Sequence, residues 1–143
     1  MNLFVLLNRG LRAALLGLLM VGAAHAADQG TAPEAEAMVR KAVAFIKANG
    51  SDKAYDEFTN GKQFKDRDLY IIVYDLNGKN LAQGANAKLV GKDLIGMKDP
   101  DGKPLIRMFV DLAKDKGKGW VEGYKFLNPV TQKIEGKAMY LER

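Results

Sequence analysis

The chain has 143 residues, a formal net charge of +5 and no cysteine, so disulfides and thiol chemistry are excluded. Its single histidine, His25, lies in a segment predicted below to be removed, which excludes hydrolytic triads and zinc sites built on imidazole. Basic and acidic residues are interspersed, with no basic stripe alternating with aromatics, so we expect no nucleic-acid partner, no cofactor and no enzymatic activity.

Residues 1–26 have the pattern of a secretory signal peptide. Arg9 and Arg12 provide the positive start, an apolar run follows, and a small-x-small cleavage sequence ends at Ala26. The alternative is an uncleaved membrane anchor, but the apolar run is shorter than the ~20 residues that span a bilayer. We therefore expect residues 27–143 to form one domain, periplasmic or secreted, with no membrane span after cleavage.

Two helices are predicted next. Thr31 and Glu34 have the spacing of a capping box, and Asn49-Gly50 is a stop signal. Ser51 is predicted to cap a second, shorter helix that runs through Phe58. The apolar residues of the first helix recur at helical spacing and predict one core-facing stripe: Met38, Val39, Ala42, Phe45 and Ile46.

A β-hairpin is predicted from Leu69 onward, because β-branched and aromatic residues precede Asn77-Gly78, a pair typical of a two-residue turn. If Leu76 and Lys79 flank that turn, Tyr74 lies opposite Leu81 and Ile72 opposite Gln83. One face of the hairpin then combines apolar side chains with the polar end groups of tyrosine and glutamine, which indicates a ligand pocket. Its residues are Tyr70, Ile72, Tyr74, Leu81 and Gln83. The alternative is that the tyrosines pack in the core with satisfied hydroxyls.

A third helix is predicted behind Pro104, and Gly117 to Gly119 ends it. Its apolar positions recur at helical spacing: Leu105, Ile106, Phe109, Leu112 and Ala113. The DPDGKP sequence before it contains Asp99 and Asp101, but it lacks the later acidic ligand of a calcium loop, so no metal site is predicted.

A second hairpin is predicted to turn at Asn128-Pro129-Val130-Thr131. Alternation places Trp120, Glu122, Tyr124 and Phe126 on one face. If Phe126 lies opposite Lys133, then Glu122 meets Lys137 and Trp120 meets Met139. Lys137 is then either a cross-strand partner of Glu122 or a fixed positive charge that faces a ligand.

Several motifs occur in a specific order: VYDLNGKNLA, NAKLVGKDL, KDPDGKPL, GKGW, NPVT and the lysine of EGKAMY. Together they resemble the single Cache domain of the second type, an extracytoplasmic PAS-like sensor domain of bacteria. The resemblance implies an α+β fold, with a PAS-like antiparallel sheet, an N-terminal helix packed on one face and a helix between two β-hairpins. It also implies binding of small organic acids or amino acids, with Lys137 matching a lysine of the family pattern.

The chain departs from that family in two places. Gln83 stands where many relatives carry histidine, so we expect no pH-linked binding at that position. After Leu141 the chain lacks the glycine-rich final strand, which in a PAS-like sheet lies centrally beside the first strand. We expect a truncated sequence, with a rearranged C-terminal strand or a strand supplied by another chain as the alternatives.

The leading prediction is a secreted, stand-alone Cache domain that binds a small carboxylate and signals through a membrane receptor or another partner chain. The alternative is a structural or protein-interaction module whose pocket is filled by its own side chains. The predicted ligand-binding residues supply one ammonium group, aromatic walls and polar tips: Tyr70, Tyr74, Gln83, Arg107, Trp120, Tyr124 and Lys137.

Overall fold

Three α-helices and three antiparallel strand pairs alternate along the part of the chain that the computed structural model describes, residues 29–143. The predicted signal peptide lies outside these residues. The α+β architecture confirms the predicted fold class. The elements are α1 (Ala32–Asn49), α2 (Ser51–Asn60), β1 (Lys65–Asp66), β2 (Leu69–Tyr70), β3 (Ile72–Tyr74), β4 (Asn80–Gln83), a 3-10 helix (Ala87–Leu89), α3 (Leu105–Asp115), β5 (Lys118–Leu127) and β6 (Ile134–Glu142).

The predicted start and end of the first helix are confirmed. The Glu34 carboxylate accepts a hydrogen bond of 2.8 Å from the backbone N–H of Thr31, which satisfies a donor that precedes the first turn. Helix α1 ends at Asn49, and Gly50 adopts a φ of +82°. Gly50 is also the N-cap of α2, so the predicted cap at Ser51 is wrong by one residue.

Two hydrophobic clusters form the core. In the first, α1 and α2 pack against the first hairpin; the predicted stripe of α1 contributes to it, and Phe64 meets Phe58 edge-on at 4.7 Å between ring centroids. The second cluster joins α3 to β5 and β6. Its buried residues include four on one side of α3, as helical periodicity requires: Leu105, Ile106, Phe109 and Val110.

The turn of the first hairpin differs from the prediction. The backbone N–H of Asp75 donates to the carbonyl of Lys79 at 3.0 Å, so three residues form the loop instead of two. Only Gly78 has a left-handed φ, +92°, whereas Asn77 does not. The Asp75 carboxylate accepts bonds from the N–H groups of Asn77 and Lys79, which stabilises this longer loop.

The longer loop changes the pairing next to it. Ile72 lies opposite Gln83 as predicted, but a bulge follows, and Tyr74 lies opposite Asn80 instead of Leu81. A bulge places two residues of one strand against one of its partner, so strict alternation fails beyond it. The predicted pairing is therefore correct at Ile72 and Gln83, far from the turn, and wrong at Tyr74 and Leu81, next to the turn.

The register of the second hairpin is also corrected. The N–H of Asn128 donates to the carbonyl of Lys133, so the loop extends two residues beyond the predicted turn. Phe126 consequently lies opposite Glu135, and not opposite Lys133. The Asn128 side-chain oxygen accepts the backbone N–H of Val130 at 2.9 Å, a local bond that holds the wider loop.

A second bulge in β5 shifts the pairing again. It lies between Val121 and Tyr124, where Gly123 has a φ of +72°. Tyr124 therefore lies opposite Lys137, while Glu122 is exposed at the bulge, so the predicted Glu122–Lys137 pair is wrong.

Trp120 is paired differently from the prediction as well. It lies opposite Tyr140 and not opposite Met139, whose partner is Val121. Trp120 and Tyr140 also contact each other through their rings, with centroids 5.5 Å apart.

Strands β3 and β6 each have one ladder partner within residues 29–143, β4 and β5 respectively. A cavity of about 210 Å³ lies between them, lined by residues 70–76 on one side and 139–143 on the other. That the sequence is truncated stays a prediction. In this same part of the chain, no helix combines the length and the apolar character needed to cross a bilayer.

Candidate functional site

A smaller cavity, of about 100 Å³, lies between the first hairpin, α3 and β6. We call it the aromatic cavity, because its walls include six aromatic rings: Tyr70, Tyr74, Phe109, Tyr124, Phe126 and Tyr140. Asp68 and Lys137 supply the charged groups in its lining. Tyr70 and Tyr74 also line the neighbouring 210 Å³ cavity, so the two spaces share a wall.

Packing of α3 against both hairpins brings the rings together. Phe109 is buried on α3, and its ring centroid lies 5.5 Å from that of Tyr124 in an edge-to-face arrangement. It lies 6.5 Å from that of Tyr74, on the opposite hairpin. The ring of Phe109 thus lies between the rings of the two hairpins. Its place on α3 follows from the helical spacing of the buried residues of that helix.

The tyrosine hydroxyls of the cavity stay protonated at neutral pH. Burial, with smaller contributions from the nearby Tyr74 and Asp68, raises the pKa of Tyr70 to about 12. Burial also raises the pKa of Tyr124, with Tyr70 and Tyr74 adding to the effect, and burial raises that of Tyr74. Each hydroxyl can therefore donate a hydrogen bond to an anionic group in the cavity.

Lys137 forms an ion pair with Asp68, at 2.8 Å between Nζ and Oδ2. The two side chains are only 16% and 11% exposed, respectively. Burial alone would raise the pKa of Asp68, but the bonds from Lys137 and from the backbone N–H of Gly30 outweigh it and hold the pKa below its usual value. The cavity thus contains an ammonium group with a carboxylate partner from the same chain.

Four of the seven predicted ligand-binding residues line the aromatic cavity: Tyr70, Tyr74, Tyr124 and Lys137. That any of them binds a ligand stays a prediction. They belong to four different strands, β2, β3, β5 and β6, each of which contributes one of these residues to the cavity wall.

The other three predicted residues do not line this cavity. Gln83 is 1% exposed, and its side-chain oxygen accepts the backbone N–H of Ala85, so it holds the chain where β4 ends. Trp120 donates from Nε1 to Glu36 of α1 at 3.0 Å. Arg107 lies exposed on α3.

Asp68 is the residue of the cavity that the sequence analysis missed. It lies in GKQFKDRD, which has the composition of a charged connector. Asp68 lies in the turn that precedes β2, outside the strand, so strand alternation gives no signal for it. Phe109 was predicted only as part of the core.

The DPDG turn is held by hydrogen bonds from backbone N–H groups to the Asp99 carboxylate. Within residues 29–143, no group of three or more His, Cys, Asp or Glu residues has the geometry to hold a metal ion. The Asp99 carboxylate accepts backbone N–H bonds of 2.9 to 3.0 Å from Asp101, Lys103 and Lys125. These bonds tie the loop before α3 to β5.

Comparison with known proteins identifies the family. Residues 16–143 match the family model described as Single Cache domain 2. The chain belongs to this family. Cache domains are extracytoplasmic sensor domains that bind ligands in signalling. The match begins inside the segment predicted to be a signal peptide and leaves that prediction untested.

One curated relative is the methyl-accepting chemotaxis protein McpP of Pseudomonas putida (strain KT2440). It is 32% identical over 77 residues, which cover 54% of this chain and 14% of McpP. The similarity therefore concerns a small part of that receptor.

Solved structures with the same fold are sensor domains. A methyl-accepting chemotaxis protein from Vibrio parahaemolyticus is 26% identical, with a TM-score of 0.64 and coverage of 77% of each chain. A Cache chemosensory domain, described in terms of carboxylic acid recognition, is also 26% identical, with a TM-score of 0.57 and coverage of 76% of each chain. The family assignment and the fold thus agree.

Proposed function

We propose that this Cache domain binds a small organic acid or amino acid in the aromatic cavity and thereby senses it. The observation that carries the proposal is that Lys137 lines a largely apolar cavity together with Tyr70, Tyr74 and Tyr124. A buried ammonium group with neutral donors around it suits a carboxylate, because charge-assisted hydrogen bonds are strong where water is excluded. The similar domain described for carboxylic acid recognition supports the same ligand class.

Each part of the cavity has a distinct role in this proposal. Lys137 pairs with the ligand carboxylate, and the tyrosine hydroxyls donate hydrogen bonds that orient it. Phe109 and Phe126 cover the ligand's apolar part. The cavity volume of about 100 Å³ favours ligands of few non-hydrogen atoms.

We further propose that the domain acts outside the cytoplasm as a stand-alone module and passes its signal to a membrane receptor or another partner chain. The signal-like sequence of residues 1–26 and the extracytoplasmic location of Cache domains support this. N-terminal sequencing of the exported protein tests it, and we expect the mature chain to begin at Ala27.

A thermal-shift screen of small monocarboxylates, dicarboxylates and amino acids tests the binding proposal. A ligand that binds only the folded state stabilises it by RT ln(1 + [L]/Kd), so the melting temperature should rise with ligand concentration. Isothermal titration calorimetry then provides the dissociation constant. A panel without any concentration-dependent shift would contradict the proposal and favour the alternative module with a filled pocket.

A further inference from the structure

We propose that Asp68 is a competitor carboxylate within the chain: it occupies Lys137 while the cavity is empty, and a ligand carboxylate must displace it. This inference rests on the proposed function and adds a residue that determines affinity. Asp68 and Lys137 are 69 positions apart in the sequence and meet at 2.8 Å.

The electrostatics of the pair favour competition. The ammonium group of Lys137 is largely buried and already has an anionic partner. A second carboxylate at the same nitrogen would place two negative charges side by side in a region of low polarity, which is unfavourable. A ligand carboxylate therefore forms an ion pair with Lys137 most readily when Asp68 turns away or loses its charge.

Displacement of Asp68 would also break a hydrogen bond at the start of α1. The Oδ1 atom of Asp68 accepts the backbone N–H of Gly30 at 2.7 Å, just before the helix begins. A side chain at Gly30 would collide with Leu69, so the backbone approaches the strand closely there. One carboxylate thus links the cavity to the residue that leads into α1.

The neighbouring Arg67 strengthens this link. Its guanidinium donates to the carbonyl of Gln29 at 2.9 Å and forms an ion pair of 2.9 Å with Glu34 in the first turn of α1. Arg67 has a φ of +54°, an uncommon conformation for a residue other than glycine. Residues 66–68 therefore hold the start of α1, and Asp68 is the member of that segment that also contacts the cavity's ammonium group.

The first experiment measures affinity. Acetate and propionate are titrated by calorimetry into the wild-type protein, Asp68→Asn and the matched control Asp66→Asn, which removes a carboxylate two residues away, at the end of β1, without touching Lys137. We expect Asp68→Asn to bind the acids about tenfold more tightly or better, because Lys137 has lost its charged competitor. Asp66→Asn should stay within about twofold of wild type. Melting curves of all three proteins establish that they are folded.

The second experiment measures hydrogen exchange at the Gly30 and Thr31 amides, with and without saturating propionate. We expect propionate to speed exchange at Gly30 in the wild-type protein. In Asp68→Ala, exchange should already be fast without propionate and should not change when it is added.

The outcomes separate this inference from the proposed function. Equal affinities of wild type and Asp68→Asn, or a Gly30 amide that does not respond to propionate, would overturn the competition while leaving acid binding intact. If neither wild type nor Asp68→Asn binds acetate or propionate, the competition is overturned, and these two acids are also excluded as ligands under the proposed function. Slow Gly30 exchange in ligand-free Asp68→Ala would overturn the link to α1.

Discussion

Tyr124 lies directly across the β5–β6 ladder from Lys137, because a bulge inserts Glu122 and Gly123 without partners. In a regular strand, Val121 and Tyr124 would face opposite sides, since they are three residues apart. Here both are buried against α3, at 7% and 6% exposure. The bulge therefore places Tyr124 and Lys137 opposite each other in the wall of one cavity, which is the arrangement behind the proposed acid binding.

Replacing Lys137 should weaken acid binding. Lys137→Met keeps the aliphatic stem and removes the charge, so we expect a loss of about 1.5 to 3 kcal/mol, or roughly ten- to a hundredfold in Kd, for any acid that binds. Calorimetry measures the change. Lys133→Met is the control, because this lysine is exposed near the end of the same hairpin and outside the cavity. Unchanged affinity in Lys137→Met would remove Lys137 from the site.

A side chain at Gly78 should destabilise the first hairpin. Gly78→Ala places a Cβ in a left-handed conformation and within 2.8 Å of the Cβ of Ile95. Gly91→Ala is the matched control, because Gly91 has a similar φ of +83° but no atom within 4 Å of the added carbon. We expect Gly91→Ala to cost about 1 kcal/mol and Gly78→Ala clearly more, as measured by urea unfolding. Equal losses would show that the Ile95 contact relaxes freely.

Glu34 should make the fold sensitive to acid. The Thr31 backbone N–H and the side chains of Arg67 and Thr31 lower the pKa of Glu34 from 4.5 to about 2. A lowered pKa in the folded state means that this stabilisation is complete above pH 4.5 and is lost as the pH falls toward 2.

Urea unfolding at several pH values tests this prediction. Glu34→Gln should reduce the loss of stability between pH 4.5 and 2 relative to wild type. Glu122→Gln, at the exposed bulge of β5, is the control and should follow the wild-type curve. Parallel curves for wild type and Glu34→Gln would contradict the role of Glu34.

An added strand between β3 and β6 should stabilise the domain. Each of these strands has one ladder partner within the described residues, and their other edges border the 210 Å³ cavity. We keep as a proposal that an extended segment pairs there, because unpaired strand edges favour strand addition. Fusing a strand-forming segment after Arg143 should raise the melting temperature by several degrees. A shuffled extension of the same composition is the control, and equal melting temperatures would contradict the proposal.

Local patterns were sufficient for much of the fold. The apolar stripe of α1, the capping pair Thr31 and Glu34, and the helix behind Pro104 all follow from helical periodicity and from terminal signals within a few residues. The motifs that resemble single Cache domains are likewise contiguous, and the family they indicate is confirmed. Such features can be predicted from the sequence because the residues that form them are close together in the chain.

What the sequence by itself determined, then, was the family, the order of helices and hairpins, and four of the residues that line the aromatic cavity. Only the tertiary structure decided the strand registers, including the placement of Tyr124 opposite Lys137, and the pairing of Lys137 with Asp68. The physical reason is that side chains alternate with a period of two, so a bulge or a longer loop shifts the partners next to it while leaving the composition unchanged. An ion pair between residues 69 positions apart depends on how whole elements pack, and no local pattern contains that information.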